Sequence, residues 1–229
     1  MKLEFAYQGP KRGVTRVQDR AVLLAHGAGA DMHAATLRTF TDALSAAGIP
    51  TLRFQYPYRS AGKKVPDRPP VLMEATRRAV DELARRTKLP VEQLVIGGRS
   101  MGGRYCSMVA ADSDDPVPCL GLLLLGYPLH AMGKPEKERS DHFPHLTMPV
   151  LFVSGTRDSL AAKPALTKAA RRVKGRREFH WIDTADHGFK PLKSSGLTVE
   201  SALGAAATVV TKWVLALAHG NPAPGGGGR

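Results

Sequence analysis

One stretch decides how this chain folds, and it reads Gln93-Leu94-Val95-Ile96-Gly97-Gly98-Arg99-Ser100-Met101-Gly102-Gly103. The run from Leu94 to Ile96 is short and apolar, which predicts a buried strand. The glycines after it predict a sharp turn. Residues 101–111 then continue as the start of a helix. The local structure expected here is therefore strand, turn, helix.

A five-residue pattern lies inside this turn, because Gly98-Arg99-Ser100-Met101-Gly102 fits Gly-x-Ser-x-Gly. In α/β-hydrolases this pattern is the nucleophile elbow, a strained corner that exposes the serine hydroxyl. A Cβ at Gly98 or Gly102 is expected to collide with the adjoining strand or helix. The first amides of the helix also point their partial positive charge at the space above Ser100. The alternative is a Gly-rich turn with a solvated serine, but the flanking strand and helix favour a nucleophilic Ser100.

Length and composition indicate a globular protein. The chain has 229 residues, of which 43% are hydrophobic and 23% are charged, and this is enough for one core. We expect a single domain over residues 1–220. Residues 221–229 hold only Asn, Pro, Ala, Gly and Arg, cannot bury surface, and are expected to form a loose tail.

The apolar runs and the cysteines indicate in which cellular compartment the protein is expected. No apolar run follows the charge at the start of the sequence, so a secretory signal is not expected. Residues 119–125 and 209–218 are the longest apolar runs, and they are too short or too interrupted, by Lys212, to cross a bilayer. Cys106 and Cys119 lie in apolar segments and are expected to be small core residues. The chain therefore fits a reducing cytoplasm.

The net charge is +13 and the pI is about 10.1. Nucleic-acid binding would explain such a charge, but the sequence has no basic region with interleaved aromatic residues and no known binding module. The densest basic run, residues 163–177, fits the outer face and last turn of a helix. Solvated helix faces are the preferred explanation, with some attraction for anionic substrates.

Apolar runs recur along the chain and predict the strands of one sheet. They cover residues 21–25, 51–56, 93–97, 119–125, 149–154 and 177–182, and helical patterns separate most of them, including residues 71–87 and 197–219. Continuous apolar strands interleaved with helices are typical of a parallel sheet covered on both faces. The predicted class is therefore α/β, with the chemistry at the carboxyl ends of the strands.

The acid and the base that a serine nucleophile needs follow Ser100 in the chain. Asp158 comes soon after an apolar strand, and His187 lies between the last strand and the last helix. An imidazole must take the hydroxyl proton, and a buried carboxylate must orient that imidazole. The order Ser, Asp, His is the one that this fold uses. Asp186 is a rival acid, but as the neighbour of His187 it has little freedom to reach the far ring nitrogen.

The loop after the first strong strand reads His26-Gly27-Ala28-Gly29. In this fold such a loop supplies one oxyanion-hole amide, and the residue after the nucleophile supplies the other. We therefore expect the N–H groups of Met101 and Ala28 to hold the oxyanion, with Gly29 as the alternative. His26 is expected to pin the loop rather than to act as a base.

Four side chains are expected near the substrate: His26, Tyr58, Arg99 and His130. The segment 128–146, which His130 flanks, is where a lid would be inserted. It is short and polar, so we expect a minimal cap and an open pocket. No metal-ligand spacing occurs among the histidines, and the chemistry needs no cofactor, so neither is expected.

Six motifs together resemble the dienelactone-hydrolase-like α/β-hydrolases, and in particular a bacterial group related to the testis-expressed and non-specific-lethal-complex subunit hydrolase-like proteins. They are Leu24-Ala-His-Gly-Ala-Gly-Ala30, Gly97-Gly-Arg-Ser-Met-Gly-Gly-Arg104, Gly126-Tyr-Pro-Leu-His130, Gly133-Lys-Pro-Glu-Lys137, Ser154-Gly-Thr-Arg-Asp158 and Ala185-Asp-His-Gly-Phe-Lys190. The resemblance runs over residues 21–219 and implies a triad of Ser100, Asp158 and His187. Dienelactone hydrolases proper use a cysteine where this chain has Ser100, which puts that particular substrate in doubt.

Three hypotheses for the function follow from these features. The leading hypothesis is a cytoplasmic serine hydrolase, without a cofactor, that acts on a small carboxylic ester, thioester or similar acyl compound. The alternative is a binding or scaffold protein that keeps the fold without catalysis, because eukaryotic relatives of this family include subunits of complexes. Nucleic-acid binding is a third and less favoured hypothesis, and it predicts an affinity that falls steeply with salt.

Overall fold

A computed structural model describes residues 3–218. One sheet contains the strands β1 (Phe5–Gln8), β2 (Ala21–Ala25), β3 (Thr51–Phe54), β4 (Leu94–Arg99), β5 (Gly121–Leu125), β6 (Val150–Gly155) and β7 (Arg177–Ile182). Their order across the sheet is β1-β3-β2-β4-β5-β6-β7. The predicted tail, residues 221–229, and the predicted end of the last helix at residue 219 lie outside the described residues.

The strands from β2 to β7 run parallel, which confirms the predicted direction of the sheet. β1 is antiparallel to β3, with Phe5 opposite Phe54. The sequence did not predict β1, because its four residues are half-buried and do not form a continuous apolar run. An edge strand of this kind gives a weak signal.

Helices cover both faces of the sheet, as predicted. They are α1 (Ala35–Ala46), α2 (Pro57–Ser60), α3 (Pro69–Thr87), α4 (Met101–Ala110), α5 (Lys163–Ala170) and α6 (Val199–Ala216). One buried cluster joins the sheet to α3, α4 and α5, and a second joins it to α1 and α6. Successive side chains of a strand point to opposite faces, so Leu23 belongs to the first cluster and Leu24 to the second.

The helix ends follow local chemistry. α1 stops before Gly48, whose φ of 83° is the left-handed conformation predicted for a helix stop. α3 begins with Pro69 and Pro70, where a missing N–H costs nothing. Thr198 and Ser201 form a capping box at the start of α6.

α6 is one helix among residues 3–218 that is long and apolar enough to cross a membrane, by length and composition. It starts ten residues before the apolar run 209–218, which by itself is too short to cross a bilayer. One side of α6 is buried against α1 and the sheet, through Ala206, Val210, Trp213 and other residues. A core helix passes the same length test, so α6 does not assign a membrane location.

Both cysteines are free and buried, which confirms them as core residues. Burial raises the pKa of the Cys119 thiol to about 12. Because the thiolate is the reactive form, these side chains are chemically inert at neutral pH.

Candidate active site

Ser100 occupies the corner between β4 and α4, as predicted. Its backbone has φ 51° and ψ −115°, a conformation that costs a residue with a Cβ about 1–3 kcal/mol. Hydrogen bonds on both sides hold it there. The Ser100 N–H donates to the Leu125 carbonyl (2.9 Å), and the Arg104 N–H donates to the Ser100 carbonyl (3.0 Å).

Two glycines, one in β4 and one in α4, allow these elements to approach β2 closely. A Cβ on Gly98 would lie 2.3 Å from the carbonyl oxygen of Ala25, and a Cβ on Gly102 would lie 2.4 Å from the same oxygen. Real Cβ atoms essentially never come within 3.0 Å of another heavy atom. The collision predicted at both positions is therefore confirmed.

Three side chains from distant parts of the chain form one hydrogen-bonded series. Ser100 Oγ lies 3.0 Å from His187 Nε2, and His187 Nδ1 lies 2.8 Å from Asp158 Oδ2 and 3.0 Å from Oδ1. The Asp158 side chain is 0% exposed and that of His187 is 24% exposed. The carboxylate only accepts hydrogen bonds, so Nδ1 carries the hydrogen and Nε2 is an acceptor for the serine hydroxyl.

The two candidate acids have different tasks in the structure. Asp158 faces the imidazole and is itself held by the N–H of Leu160, which donates to Oδ1 at 2.8 Å. Asp186 instead accepts from the N–H of Lys190 at 2.9 Å and closes the turn that follows His187. The carboxylate that reaches the far ring nitrogen is that of Asp158, the one favoured by the sequence.

A second serine and histidine pair lies nearby but is arranged differently. Ser107 Oγ is 2.8 Å from His142 Nε2, and the same hydroxyl donates to the Arg104 carbonyl at 2.8 Å. Since the hydroxyl has one hydrogen, His142 donates to it and cannot act as its base. Ser107 is fully buried, so a substrate carbonyl does not reach it. This pair ties the segment 128–146 to α4.

The buried side chains of His26 and Tyr58 hydrogen-bond to the loop after β2, and neither is placed to touch a substrate. The His26 ring is fully buried, with Nδ1 donating to the Gly27 carbonyl (2.8 Å) and Nε2 accepting from the Tyr56 N–H (3.1 Å). The buried Tyr58 hydroxyl donates to the Ala28 carbonyl (2.7 Å). These contacts correct the expectation that both side chains bind substrate, because their polar atoms are already engaged with protein. Pinning the loop, the other role expected for His26, matches the geometry.

The two amides expected at the oxyanion hole have no backbone acceptor within residues 3–218. Met101 is the first residue of α4, where a helix leaves its N–H groups unpaired. Ala28 lies in the loop just beyond β2 and is half-buried, and Gly29 is exposed. The loop after β2 and the start of α4 both lie at the same edge of the sheet as Ser100.

The Arg99 side chain contacts the loop that carries His187 and does not extend into solvent. Its guanidinium donates to the His187 carbonyl in a short contact and lies 3.3 Å from His187 Nε2. It also lies over the Phe189 ring, 4.7 Å from the ring centre. Burial lowers the pKa of Arg99 to about 10, so the group stays charged at neutral pH. The substrate contact expected of Arg99 is thus replaced by contacts within the protein.

The segment 128–146 forms the minimal cap that was predicted. It contains one short 3₁₀ turn, Phe143–His145, and the Tyr127 hydroxyl donates to the Arg139 carbonyl to hold it down. His130 is half-buried at its start, and its Nδ1 donates to the Ala131 carbonyl (2.9 Å). No hydrogen-bond partner within residues 3–218 is seen for the other ring nitrogen of His130.

Arg104 and Arg139 were not predicted from the sequence as candidate site residues. A signal for Arg104 was available, since the residue four positions after a helix-starting serine returns to the same side of the helix. No comparable signal places Arg139 beside it. Among residues 3–218, no group of three or more His, Cys, Asp or Glu side chains is arranged to hold a metal ion.

The fold and the corner at Ser100 can now be compared with known families. The profile of the alpha/beta hydrolase domain family matches residues 18–215. The chain belongs to the α/β-hydrolase family. This membership covers the whole sheet from β2 to β7 and every residue of the hydrogen-bonded series.

Solved structures of other α/β-hydrolases superpose on this one over nearly its full length. A dienelactone hydrolase from Anabaena variabilis is 21% identical, with a TM-score of 0.69 over 94% of this chain and 92% of that one. Est1E from Butyrivibrio proteoclasticus, bound to ferulic acid, is 17% identical, with a TM-score of 0.73 over 94% and 95%. A serine hydrolase without a lid from Xanthomonas campestris is 19% identical, with a TM-score of 0.68 over 92% and 89%. At these identities the likeness shows the fold, and it confirms the predicted α/β-hydrolase fold.

Proposed function

We propose that this α/β-hydrolase is a serine hydrolase that cleaves a carboxylic ester, thioester or similar acyl compound through an acyl-enzyme. The observation that carries the proposal is the unbroken hydrogen-bonded series from Ser100 through His187 to Asp158. A serine hydroxyl is a weak nucleophile near neutral pH, and this series supplies both a base and a carboxylate to orient it.

In the proposed acylation, Ser100 Oγ attacks the substrate carbonyl carbon and its proton moves to Nε2 of His187. Asp158 stabilises the imidazolium through the hydrogen bond at Nδ1. The bond from the carbonyl carbon to the leaving group then breaks, and Nε2 returns the proton to the leaving atom. Water attacks the acyl-serine ester by the same route, which releases the acid and restores the hydroxyl.

We assign the oxyanion hole to the N–H groups of Met101 and Ala28, with Gly29 as the alternative to Ala28. Two donors aimed at one oxygen stabilise the charge that develops when the carbonyl is attacked. The partial positive charge at the start of α4 adds to the effect of Met101. Loss of one such donor typically lowers turnover by about 100 to 1,000-fold.

The two buried rings below the loop act as positioning residues in this proposal. The C=O and N–H of a planar trans peptide point in opposite directions. His26 holds the Gly27 carbonyl and thereby directs the N–H of Ala28. Tyr58 holds the Ala28 carbonyl and directs the N–H of Gly29 in the same way.

Arg99 is proposed to position the His187 loop. Its bond to the His187 carbonyl and its stacking on Phe189 join the end of β4 to the turn that carries the imidazole. His130 remains our proposed substrate contact at the rim. The motifs quoted above further support membership of the dienelactone-hydrolase-like proteins and of their bacterial group. Since Ser100 replaces the cysteine of dienelactone hydrolases proper, we propose another acyl substrate.

We propose a small acyl compound in the cytoplasm as the partner of this protein, rather than nucleic acid or a membrane. The basic run after β6 supports this, because two of its arginines pair with carboxylates of the chain. Arg172 lies 3.7 Å from Glu138 and 3.9 Å from Asp141, and Arg176 lies 3.1 Å from Glu178. Cations that are paired in this way are less available to phosphate groups.

A series of p-nitrophenyl esters of increasing acyl length tests the proposed function. We expect turnover by the unmodified chain and a loss of at least about 1,000-fold in Ser100→Ala. Ser107→Ala is the matched control, since it makes the same change in the other serine bonded to a histidine and is expected to keep turnover. Equal turnover in Ser100→Ala, or none by the folded unmodified chain, would contradict catalysis and favour a binding or scaffold role.

A further inference from the structure

Arg104 follows Ser100 by about one turn of α4 but takes no part in the hydrogen-bonded series. It follows Ser100 by four residues on α4, which is about 6 Å along the helix axis. The Cα–Cβ bonds of a helix tilt toward its N-terminus, so the Arg104 side chain leans toward the end that carries Ser100. A short acyl or alcohol chain is long enough to span this distance.

Arg104 and Arg139 line the same cavity, which has a volume of about 410 Å³. This is within the range of small-molecule sites. Met73, Met108 and Ala111 also line the cavity and give it apolar surface. Burial, reinforced by the charge of Arg104, lowers the pKa of Arg139, so the two guanidinium groups are close enough to repel. A ligand with an apolar body and an anionic end would match both parts of the wall.

Neither guanidinium has a carboxylate partner within residues 3–218. The Nε of Arg104 is also buried without a hydrogen-bond partner. The carboxylates that line the cavity bind other arginines: Asp112 pairs with Arg77 at 2.8 Å, and Glu138 and Asp141 pair with Arg172 at 3.7 and 3.9 Å. The contact that remains for Arg104 is with the Tyr105 ring, whose centre lies 5.3 Å from the guanidinium. Two like charges are costly to hold close together, and a bound anion would offset that cost.

We propose that Arg104 and Arg139 bind an anionic group, a carboxylate or a phosphate, carried by the substrate whose carbonyl Ser100 attacks. The substrate class is therefore an ester or thioester with a negatively charged end and an apolar spacer. The planar donors of arginine fit both oxyanions in bidentate geometry. The net charge of +13 draws such substrates toward the protein. This inference rests on the proposed function of Ser100.

Two esters of equal acyl length test the inference, namely p-nitrophenyl hexanoate and mono-p-nitrophenyl adipate, which adds a terminal carboxylate. The unmodified chain is expected to have the higher kcat/KM for the adipate. The ratio of the two values is expected to fall about 10 to 100-fold in Arg104→Gln and in Arg139→Gln, because a charge-assisted hydrogen bond is lost. Each variant serves as its own reference, so a partly misfolded sample lowers both values alike.

Lys137→Gln is the matched control, because it removes the same charge two residues from Arg139 on an exposed part of the segment. It is expected to keep the ratio of the unmodified chain, and Arg139→Lys to keep part of it. A ratio that does not change in either arginine variant overturns the inference, while turnover of both esters by Ser100 still supports the proposed function. If neither ester reacts and Ser100 is unreactive, the proposed function itself fails.

Free adipate and inorganic phosphate distinguish a group on the substrate from a separate anion. We expect adipate to inhibit hydrolysis of the charged ester competitively and to lose this effect when Arg104 and Arg139 are both replaced by Gln. A rise in the unfolding temperature with phosphate, without any preference for the adipate ester, would assign the cavity to an independent anion and overturn the inference.

Discussion

The imidazole of His187 can serve as a base for Ser100 in only one of its neutral tautomers. With the hydrogen on Nδ1, the ring donates to Asp158 and its Nε2 accepts from the serine hydroxyl. With the hydrogen on Nε2, the ring cannot take the hydroxyl proton. The buried carboxylate of Asp158, held by the Leu160 N–H, selects the first tautomer.

Asp158→Asn tests this selection. We expect turnover to fall about 10⁴-fold with little change of structure, because the amide donates to Nδ1 and forces the hydrogen onto Nε2. Initial rates with a p-nitrophenyl ester measure the effect. Asp186→Asn is the matched control, since its amide oxygen can still accept from the Lys190 N–H and it is expected to stay near full activity. A larger loss in Asp186→Asn than in Asp158→Asn would contradict the assignment.

His142 is expected to weaken the fold on acidification. Burial, with Arg104 and Arg172 nearby, lowers the pKa of His142 from 6.5 to about 4, and the Asp141 carboxylate only partly opposes this. Between these two pH values the unfolded chain binds the proton more readily than the folded chain, so stability falls as the pH drops from about 6.5 to about 4.

His142→Gln should therefore reduce the loss of stability between pH 7 and pH 5, because the amide keeps a donor for Ser107 and does not titrate. Urea unfolding at both pH values gives the two free energies. The lowered pKa values of His26 and His180 contribute equally to both proteins and cancel in the comparison. An identical pH dependence in the two proteins would show that His142 is not the titrating group.

At the level of secondary structure, the buried strands were predictable, and of the two edge strands only one was. The strands β2, β3, β4, β5 and β6 match the apolar runs, because burial on both faces leaves an unbroken signal. The edge strand β7 is half-buried but rich in aromatic residues, which made it recognisable. β1 escaped detection because half-buried edge residues mix apolar and polar types. The short helix α2 was not predicted, since four residues beginning at Pro57 carry no helical period.

Close packing of α4 on β2 can be measured with a pair of glycine substitutions. Gly102→Ala places a Cβ 2.4 Å from the Ala25 carbonyl and is expected to destabilise the protein by about 1–3 kcal/mol. Gly204→Ala makes the same change on the exposed side of α6, where nothing lies within 4 Å, and is expected to stabilise by about 1 kcal/mol. Unfolding by urea reports both free energies. Equal effects of the two changes would contradict the close contact.

Across the whole molecule, the sequence predicted which residues would meet at one edge of the sheet but not how their neighbours would pair. Chain order and strand ends sufficed to bring together Ser100, Asp158 and His187. The role of Arg99 depends on a loop 88 residues away, and that of Arg104 on a segment between two strands. Such pairings follow from how the elements pack and have no local pattern.

The charge of the whole chain is also easier to interpret with the structure. Arg172 and Arg176 of the basic run pair with carboxylates, and Lys163 lies over the Trp181 ring at 5.3 Å from its centre. Arg104 and Arg139 differ, because both line a cavity and neither forms an ion pair within residues 3–218. The carboxylates that line the same cavity pair with other arginines. Any attraction for anions is therefore expected to concentrate beside Ser100 rather than along the basic helix.

The most direct test of the central claim is labelling of the intact protein with a fluorophosphonate, followed by peptide mass spectrometry. Such probes phosphonylate a serine only when a base activates it and an oxyanion hole stabilises the product. We predict one adduct, on the peptide that contains Ser100, and none in Ser100→Ala. Absence of labelling in the folded protein, or an adduct of equal yield in Ser100→Ala, would contradict the account.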